Sequence, residues 1–433
     1  MSAIEIDKKS QLAIDLLKQY KKDTYSFGLN CFNDFAKFVK EFGNNTLLII
    51  SQHDWASSMR NEVKNLLNLK NIKIVAEIGT SRENTPLEDV KELANLIKKT
   101  NPDNILCVGG GSAIDCAKAA NILAVLSPDL LDIEPFFGAG IVSETMTKLN
   151  IKELYPLIAV QVAAGSGSHI TKYSNVTDLT KNQKKLIVDE AIIPNRAVFD
   201  YLSTLTMPLN LTKDGAMDGF SHCLEVYYGV NENVYNYNLV EQICLTGIGL
   251  IIENLPLLIK NPQDKELRQK IGLATDLGAY AIMLYGTNGA HLNSFSFVDI
   301  MTHGKACAIL NPYYTVFFAP SIENKLKKLA FLYKDYLNEN IENLKGKELG
   351  IAIAKAMTEF SKIIGFPYKL EEIKGFSDLH INRALEAAKN PQLKSKLENM
   401  PVPLSADQID EYMKPVLLAA KTGDFNLIKT MEI

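Results

Sequence analysis

Between about Asn45 and Asp200, short runs of β-branched and aliphatic residues alternate with segments of helical periodicity, the pattern of a parallel sheet whose strands are joined by crossover helices. The runs TLLIIS (46–51), IKIVAEI (72–78), NILCVGG (104–110), PLIAVQV (156–162) and RAVFD (196–200) predict strands. Within TPLEDVKELANLIKKTNP (85–102), Leu87, Val90, Leu93, Ala94 and Ile97 share one helical face, and Asn101-Pro102 ends the helix. SNVTDLTKNQKKLIVD (174–189) reads differently: two strand-like segments flank a polar turn, which predicts a hairpin inserted in the sheet domain. Beyond Met207-Pro208 the strand pattern stops, and long apolar-periodic segments punctuated by Asn, Gly and Pro predict an all-helical second domain. The expected division is therefore residues 1–207 and 208–433, packed directly with a cleft between them.

Composition narrows the class without adding a function. The chain has 433 residues, 47% hydrophobic and 22% charged, and 46 basic against 50 acidic side chains leave a net charge of −4, so neither nucleic acid nor a membrane surface is expected as a partner. The longest apolar runs, such as Ile105–Val108 and Leu250–Ile252, fall far short of the ~20 residues that cross a bilayer. The first 23 residues mix charges throughout and read as a charged helix, not a secretory signal. Six scattered cysteines without a CxxC pair suggest reduced thiols in the cytoplasm, with Cys223 the one to watch because it adjoins a candidate ligand.

Two loops carry a possible ligand. In NILCVGGGSAIDCAK a buried-type strand runs through Gly109, Gly110 and Gly111 into a helix that Ser112 and Asp115 would open as a capping box. Glycines admit a ligand close to the backbone, and the free N–H groups and dipole of a helix N-terminus favour phosphate oxygens. Alone, the cluster reads equally well as a tight turn, since its spacing is not GxGxxG. A second small-residue loop, Ala163–Ser168, follows the strand PLIAVQV. Two such loops at strand ends are what a crevice for a dinucleotide requires.

The helical half carries a possible metal site. Asp218 and His222 stand four apart on one predicted helix face, a spacing that suits either two ligands of one ion or a hydrogen-bonded pair. His291 and His303 are twelve apart, so a bend or loop must bring them together, with Gly289 and Gly304 permitting irregular backbone. Three imidazoles and a carboxylate suit Fe(II) or Zn(II), and such an ion would polarise a substrate oxygen while a nicotinamide supplies the redox chemistry. His53 and His169 sit near strand ends and read as surface or hydrogen-bonded residues; His380 reads as solvent-facing. Phe295, Phe297 and Tyr285 are core aromatics or the wall of an apolar pocket.

In order along the chain, FGLN (27–30), GGGSAIDCAK (109–118), AAGSGSHIT (163–171), KLIVDEAIIPN (185–195), MDGFSHCLEVY (217–227) and THGKACAILNPYY (302–314) resemble the iron-containing, group III alcohol dehydrogenase family. The resemblance implies a dinucleotide-binding α/β domain, mostly parallel sheet with an inserted hairpin, then an all-α domain, the architecture shared with dehydroquinate synthase. It also implies a divalent metal, Fe2+ or Zn2+, and homodimers. It places the metal ligands on Asp218, His222, His291 and His303, and the cofactor contacts on Gly109, Gly110, Gly111, Ser112, Ser166 and Lys184. No catalytic acid or base is assigned: the histidine that often follows the third ligand by one turn is missing, and nearby Asn293 does not titrate. The spacing of His291 and His303 is also shorter than in common members, which suggests a reshaped pocket. Where the family often carries a carboxylate for the adenosine ribose, this chain reads Ser51-Gln52-His53, so Gln52 is the expected contact and NADP(H) is at least as plausible as NAD(H).

The function expected is metal-dependent, NAD(P)-linked hydride transfer between the nicotinamide and a small alcohol or aldehyde. A glycerol dehydrogenase-like polyol oxidoreductase, a dehydroquinate synthase-like lyase and a non-catalytic metal or nucleotide binder are the alternatives. The lyase would need several basic residues for a phosphate-bearing substrate, and only Lys305 stands close to a ligand in sequence.

Overall fold

The computed structural model describes residues 7–127 and 129–431. They divide into two compact units, one of Lys18–Met207 and one running from Pro208 onward that also takes in the residues up to Leu17. The N-terminal charged helix is present as α1 (Lys8–Lys21); the first six residues of the expected segment lie outside the described ones.

The first unit runs β1 (Tyr25–Gly28), α2 (Phe35–Glu41), β2 (Asn45–Ile50), α3 (Ser57–Leu69), β3 (Lys73–Ile78), α4 (Leu87–Thr100), β4 (Asn104–Gly109), α5 (Gly111–Leu126), β5 (Gly138–Ala139), α6 (Ile141–Lys148), β6 (Leu157–Gln161), β7 (Tyr173–Asp178), β8 (Gln183–Val188) and β9 (Arg196–Asp200). Six strands form an all-parallel sheet in the order β1-β9-β6-β4-β2-β3. Every second residue faces the same way, so one face presents Leu47, Ile49, Ile105, Cys107, Leu157 and Ala159 to α4 and α5. The other presents Leu48, Ile50, Leu106, Val108, Ile158 and Val160 to α2 and α3. A sheet covered on both sides explains why its strands read as unbroken apolar runs. Burying each Ile or Leu contributes roughly 1.5–3 kcal/mol. Strand order reverses around β2 and β4, which puts the turn after β4 at the switch point where ligands of such sheets bind.

The expected hairpin forms within the sheet unit as β7 and β8, antiparallel, and with β5 makes a separate three-stranded sheet. One local expectation is corrected. Ser112 is not a helix cap: α5 starts a residue earlier, with Gly110 at the N-cap and no side-chain bond there. The Ser112 hydroxyl instead accepts from the Asn84 N–H, and Asp115 turns inward to other partners.

The second unit adds α7 (Leu209–Gly229), α8 (Tyr237–Lys260), α9 (Lys265–Leu284), α10 (Gly289–Ser294), α11 (His303–Phe318), α12 (Glu323–Leu332), α13 (Gly346–Ile363), α14 (Asp378–Ala388), α15 (Lys394–Glu398) and α16 (Lys414–Thr422). No strand follows Asp200 among the described residues. Helices α7 and α9 approach so closely at Gly219 and Gly278 that a Cβ on Gly278 would sit 2.7 Å from the Gly219 carbonyl oxygen. Asp218 stands next to this close helix contact. The apolar runs are longer than the sequence reading held: α8 is long and apolar enough to cross a membrane, although two-thirds of its apolar window (67%) is buried in the fold.

Candidate metal centre and dinucleotide site

Asp218 and His222 come from α7, His291 from α10 and His303 from the first position of α11, with the loop 295–302 supplying the bend that twelve residues required. Three imidazole Nε2 atoms converge on one carboxylate oxygen: His222, His291 and His303 stand 3.7, 3.6 and 3.7 Å from Asp218 Oδ1. These separations are too long for hydrogen bonds, and two ligands about 2.1 Å from a shared tetrahedral ion lie roughly 3.4 Å apart. Asp218 Oδ1 and His291 Nε2 are buried and have no hydrogen-bond partner in the structure. Buried polar atoms left unpaired are costly, and a divalent cation would satisfy both at once. The donor set of one carboxylate and three imidazoles fits Fe2+ or Zn2+.

Gly289 and Gly304 are needed for space, not for unusual backbone. A Cβ on Gly304 would overlap the Asp214 carbonyl oxygen and lie 3.1 Å from the Asp218 Cβ, while one on Gly289 would enter the Tyr314 ring.

Sequence reasoning missed two members of this centre. Glu225, fully buried, accepts from His291 Nδ1 at 2.5 Å and from the backbone N–H groups of Asn288 and His291 at 2.9 and 3.2 Å. It fixes the tautomer that leaves the His291 Nε2 lone pair facing Asp218. The signal was present, since Asp218, His222 and Glu225 repeat at i, i+4 and i+7. Cys307, one turn after His303, also falls in the cluster: its sulfur and the ligand atoms of Asp218, His291 and His303 lie within 4.8 Å of one another. Cys223, the thiol singled out from sequence, instead packs against Gly247 and Cys244. The Nδ1 of His303 shares a hydrogen bond of 3.1 Å with Ser294 Oγ.

Electrostatics follow from burial and company. Burial raises the Asp218 carboxyl, but the three imidazoles outweigh it and hold the group below the usual carboxylate range. Burial pushes His222 down to about 4 against the pull of Asp218, keeping its imidazole neutral. Glu225 is raised by burial and lowered more by His291, so it too stays ionised.

In the sheet unit the two small-residue loops touch. A Cβ on Gly111 would overlap Ser166 Oγ, and one on Gly110 would sit 3.6 Å from the Ala163 Cβ. Buried Lys118 on α5 ties the second loop down, donating to the carbonyls of Ser168, Thr171 and Tyr173 at 2.6, 2.8 and 2.8 Å. Asp115 accepts from the Ser168 hydroxyl and from the Asn175 N–H. Gly109 to Ser112 therefore lie against a fixed wall at the start of α5. Lys184 is buried on β8 opposite Thr177. Gln52, just past β2, donates to the Ile50 carbonyl and to Glu77 on β3 at 3.0 and 3.1 Å, and Glu77 also pairs with Lys64.

The remaining histidines and Asn293 are placed as follows. His53 is exposed, and His169 is buried against Tyr25, its Nε2 2.9 Å from the phenol oxygen. His380 is not solvent-facing: it lies between the rings of Phe297 and Phe376, 3.5 Å from Asp299. Asn293 is buried, its amide taken up by Tyr314 and Met413. Phe295 is buried with its ring stacked on His303.

A parallel sheet with paired small-residue loops beside its switch point, followed by a helical unit carrying a carboxylate–imidazole cluster, is the arrangement of a metal-dependent dehydrogenase. Comparison with known proteins agrees: the chain belongs to the iron-containing alcohol dehydrogenase family, whose sequence pattern matches residues 23–201 and whose C-terminal pattern matches residues 212–416. It is thus a metal-dependent, NAD-linked alcohol dehydrogenase, and the polyol, lyase and non-catalytic readings are not favoured. Alcohol dehydrogenase 4 of Schizosaccharomyces pombe is 28% identical over 64% of this chain and 60% of its own length. A probable NADH-dependent butanol dehydrogenase of Bacillus subtilis is 25% identical over 82% of this chain and 87% of its own. Among solved structures, a 1,3-propanediol oxidoreductase superposes with a TM-score of 0.75 at 21% identity, covering 92% of this chain and 98% of the other. NADH-dependent butanol dehydrogenase A of Thermotoga maritima superposes at 0.73 and 22% identity, over 92% and 97%.

Proposed function

We propose that Asp218, His222, His291 and His303 hold one divalent ion, Fe2+ or Zn2+, and that the enzyme interconverts a small aldehyde and its alcohol with NAD(H). The observation that carries this reading is the convergence of three imidazole Nε2 atoms on an unpartnered Asp218 oxygen. Bound there, the ion polarises the substrate oxygen and the nicotinamide carries the hydride. Glu225 and Ser294 orient His291 and His303 from behind. The free N–H groups at the start of α5, Gly109 to Ser112, hold the pyrophosphate, with Ser166 shaping the other wall and Lys184 approaching from the hairpin.

The choice of NAD(H) over NADP(H) rests on Glu77. Its carboxylate, hydrogen-bonded to Gln52 and paired with Lys64, stands beside the end of β2 and would accept ribose hydroxyls in place of the carboxylate that β2 lacks. The relatives named for butanol and 1,3-propanediol support small alcohols as substrates. Six unpaired cysteines support a reducing, cytoplasmic setting, and family membership supports a homodimer with no nucleic-acid or membrane partner.

The test is metal analysis of the purified protein together with NADH and NADPH oxidation over a panel of small aldehydes. Iron or zinc near one per chain, faster turnover with NADH, and loss of activity on chelation are expected; full activity in metal-free protein overturns the reading. Glu225→Gln checks the supporting residue. With the carboxylate gone, His291 loses its tautomer control, and Zn2+ affinity in a competition titration should fall about 10- to 100-fold.

A further inference from the structure

The metal cluster holds one donor more than the proposed ligand set uses. Cys307 is fully buried on α11, and its sulfur lies with the ligand atoms of Asp218, His291 and His303, all within 4.8 Å of one another. His303 and Cys307 stand four apart at the start of α11, as Asp218 and His222 do on α7, so each helix turns a pair of donors toward the same space. No other cysteine joins such a group among the described residues. Two atoms of the cluster, Asp218 Oδ1 and His291 Nε2, are buried and without a hydrogen-bond partner, so the space that Cys307 borders is one that calls for a cation.

The three imidazoles are not held alike. His291 is braced at Nδ1 by Glu225, and His303 at Nδ1 by Ser294. His222 Nδ1 is buried with no hydrogen-bond partner among the described residues. A ligating imidazole ordinarily gives its second N–H to a carboxylate, carbonyl or water, which fixes the ring and strengthens it as a donor. His222 lacks that support, so of the three it is the ligand an ion exchanges most readily. Thiolate sulfur is a soft donor that favours Zn2+ and Co2+ over a hard ion such as Mn2+. Resting on the metal-centre reading above, we infer that Cys307 is an alternative ligand of this centre: a thiophilic ion sits on Asp218, His291, His303 and the Cys307 thiolate, and a hard ion keeps His222 in the fourth position. On coordination the thiol gives its proton to solvent and a sulfur lone pair goes to the ion. A sulfur 2.3 Å and a nitrogen 2.1 Å from one tetrahedral ion lie roughly 3.6 Å apart. The sulfur therefore has at most about an ångström to close, within the reach of rotation about the Cys307 Cα–Cβ bond. Three donors are common to both arrangements, so discrimination between ions is made at one position, by sulfur against an unbraced imidazole.

Co2+ stands in for Zn2+ and reports sulfur directly. Wild type loaded with Co2+ should show a thiolate-to-cobalt charge-transfer band in the near ultraviolet; Cys307→Ser should bind Co2+ without that band, and His222→Ala should keep it. Competition against a chromophoric chelator reads the selectivity: the ratio of Zn2+ to Mn2+ affinity should fall about tenfold or more in Cys307→Ser. A general lesion would weaken both ions together and leave the ratio unchanged, which overturns the inference, as does a band that survives in Cys307→Ser. If that variant does not fold, X-ray absorption at the zinc edge of the wild type decides: one sulfur at about 2.3 Å beside nitrogen and oxygen at about 2.1 Å is expected, and nitrogen and oxygen alone sink the proposal. Wild type that binds Co2+ with no thiolate band removes this inference alone, whereas wild type that binds none of these ions removes the metal-centre reading beneath it.

Discussion

His303→Ala is expected to yield folded protein without bound metal and with activity reduced about 1000-fold or more. The three Nε2 atoms lie within 0.1 Å of a common distance from Asp218 Oδ1, 3.6 to 3.7 Å, so each imidazole closes one side of the same small space. Losing one opens the centre to water and leaves Asp218 with two of its three imidazole neighbours, which lowers affinity for the ion as well as the charge stabilisation it would provide. His303 is the most exposed of the three, with 20% of its side chain accessible, so its removal should disturb folding least. Metal analysis, NADH oxidation and a melting curve on the same sample check this. A metal-free variant turning over at wild-type rate would remove the site from the reaction.

The second large effect belongs to the sheet unit. Gly111→Val should weaken NADH binding about 100-fold while leaving metal content unchanged, because any Cβ at this position overlaps Ser166 Oγ and comes within 2.8 Å of Ser166 Cβ. Lys118 and Asp115 pin the Ser166 loop, so it cannot retreat to make room. The start of α5 must shift instead, and with it the N–H groups proposed to hold the pyrophosphate. Fluorescence titration of NADH against wild type and variant reads this directly; equal affinities would show that the two loops do not form the phosphate wall.

The sheet was legible because its inner strands β2, β4 and β6 are buried on both faces and so read as plain apolar runs, while β3, at one edge and at most half-buried, still showed its Ile and Val positions. Strand β1, at the edge and only half-buried, gave no such run, and β5 is two residues long. Ser112 was misread because a capping box is defined by residue types, while the outcome turned on Asp115 finding better partners in Ser168 and Asn175 far along the chain. The four candidate ligands were legible from residue type and family order. Cys307 was not picked out, although it follows His303 by one turn of α11, because its place beside Asp218 and His291 depends on how α11 packs against α7 and α10. Glu225 lay in plain view on the Asp218 face, but a carboxylate three residues from a histidine is ordinary on a helix.

All four candidate ligands and the Glu225 brace belong to the helical unit, and none is drawn from the sheet. An ion seated among them would therefore tie α7, α10 and α11 together whether or not a dinucleotide is present. Such an ion would act as a staple across three helices of one unit, whereas the residues expected to meet the coenzyme, Gly109 to Ser112, belong to the other unit.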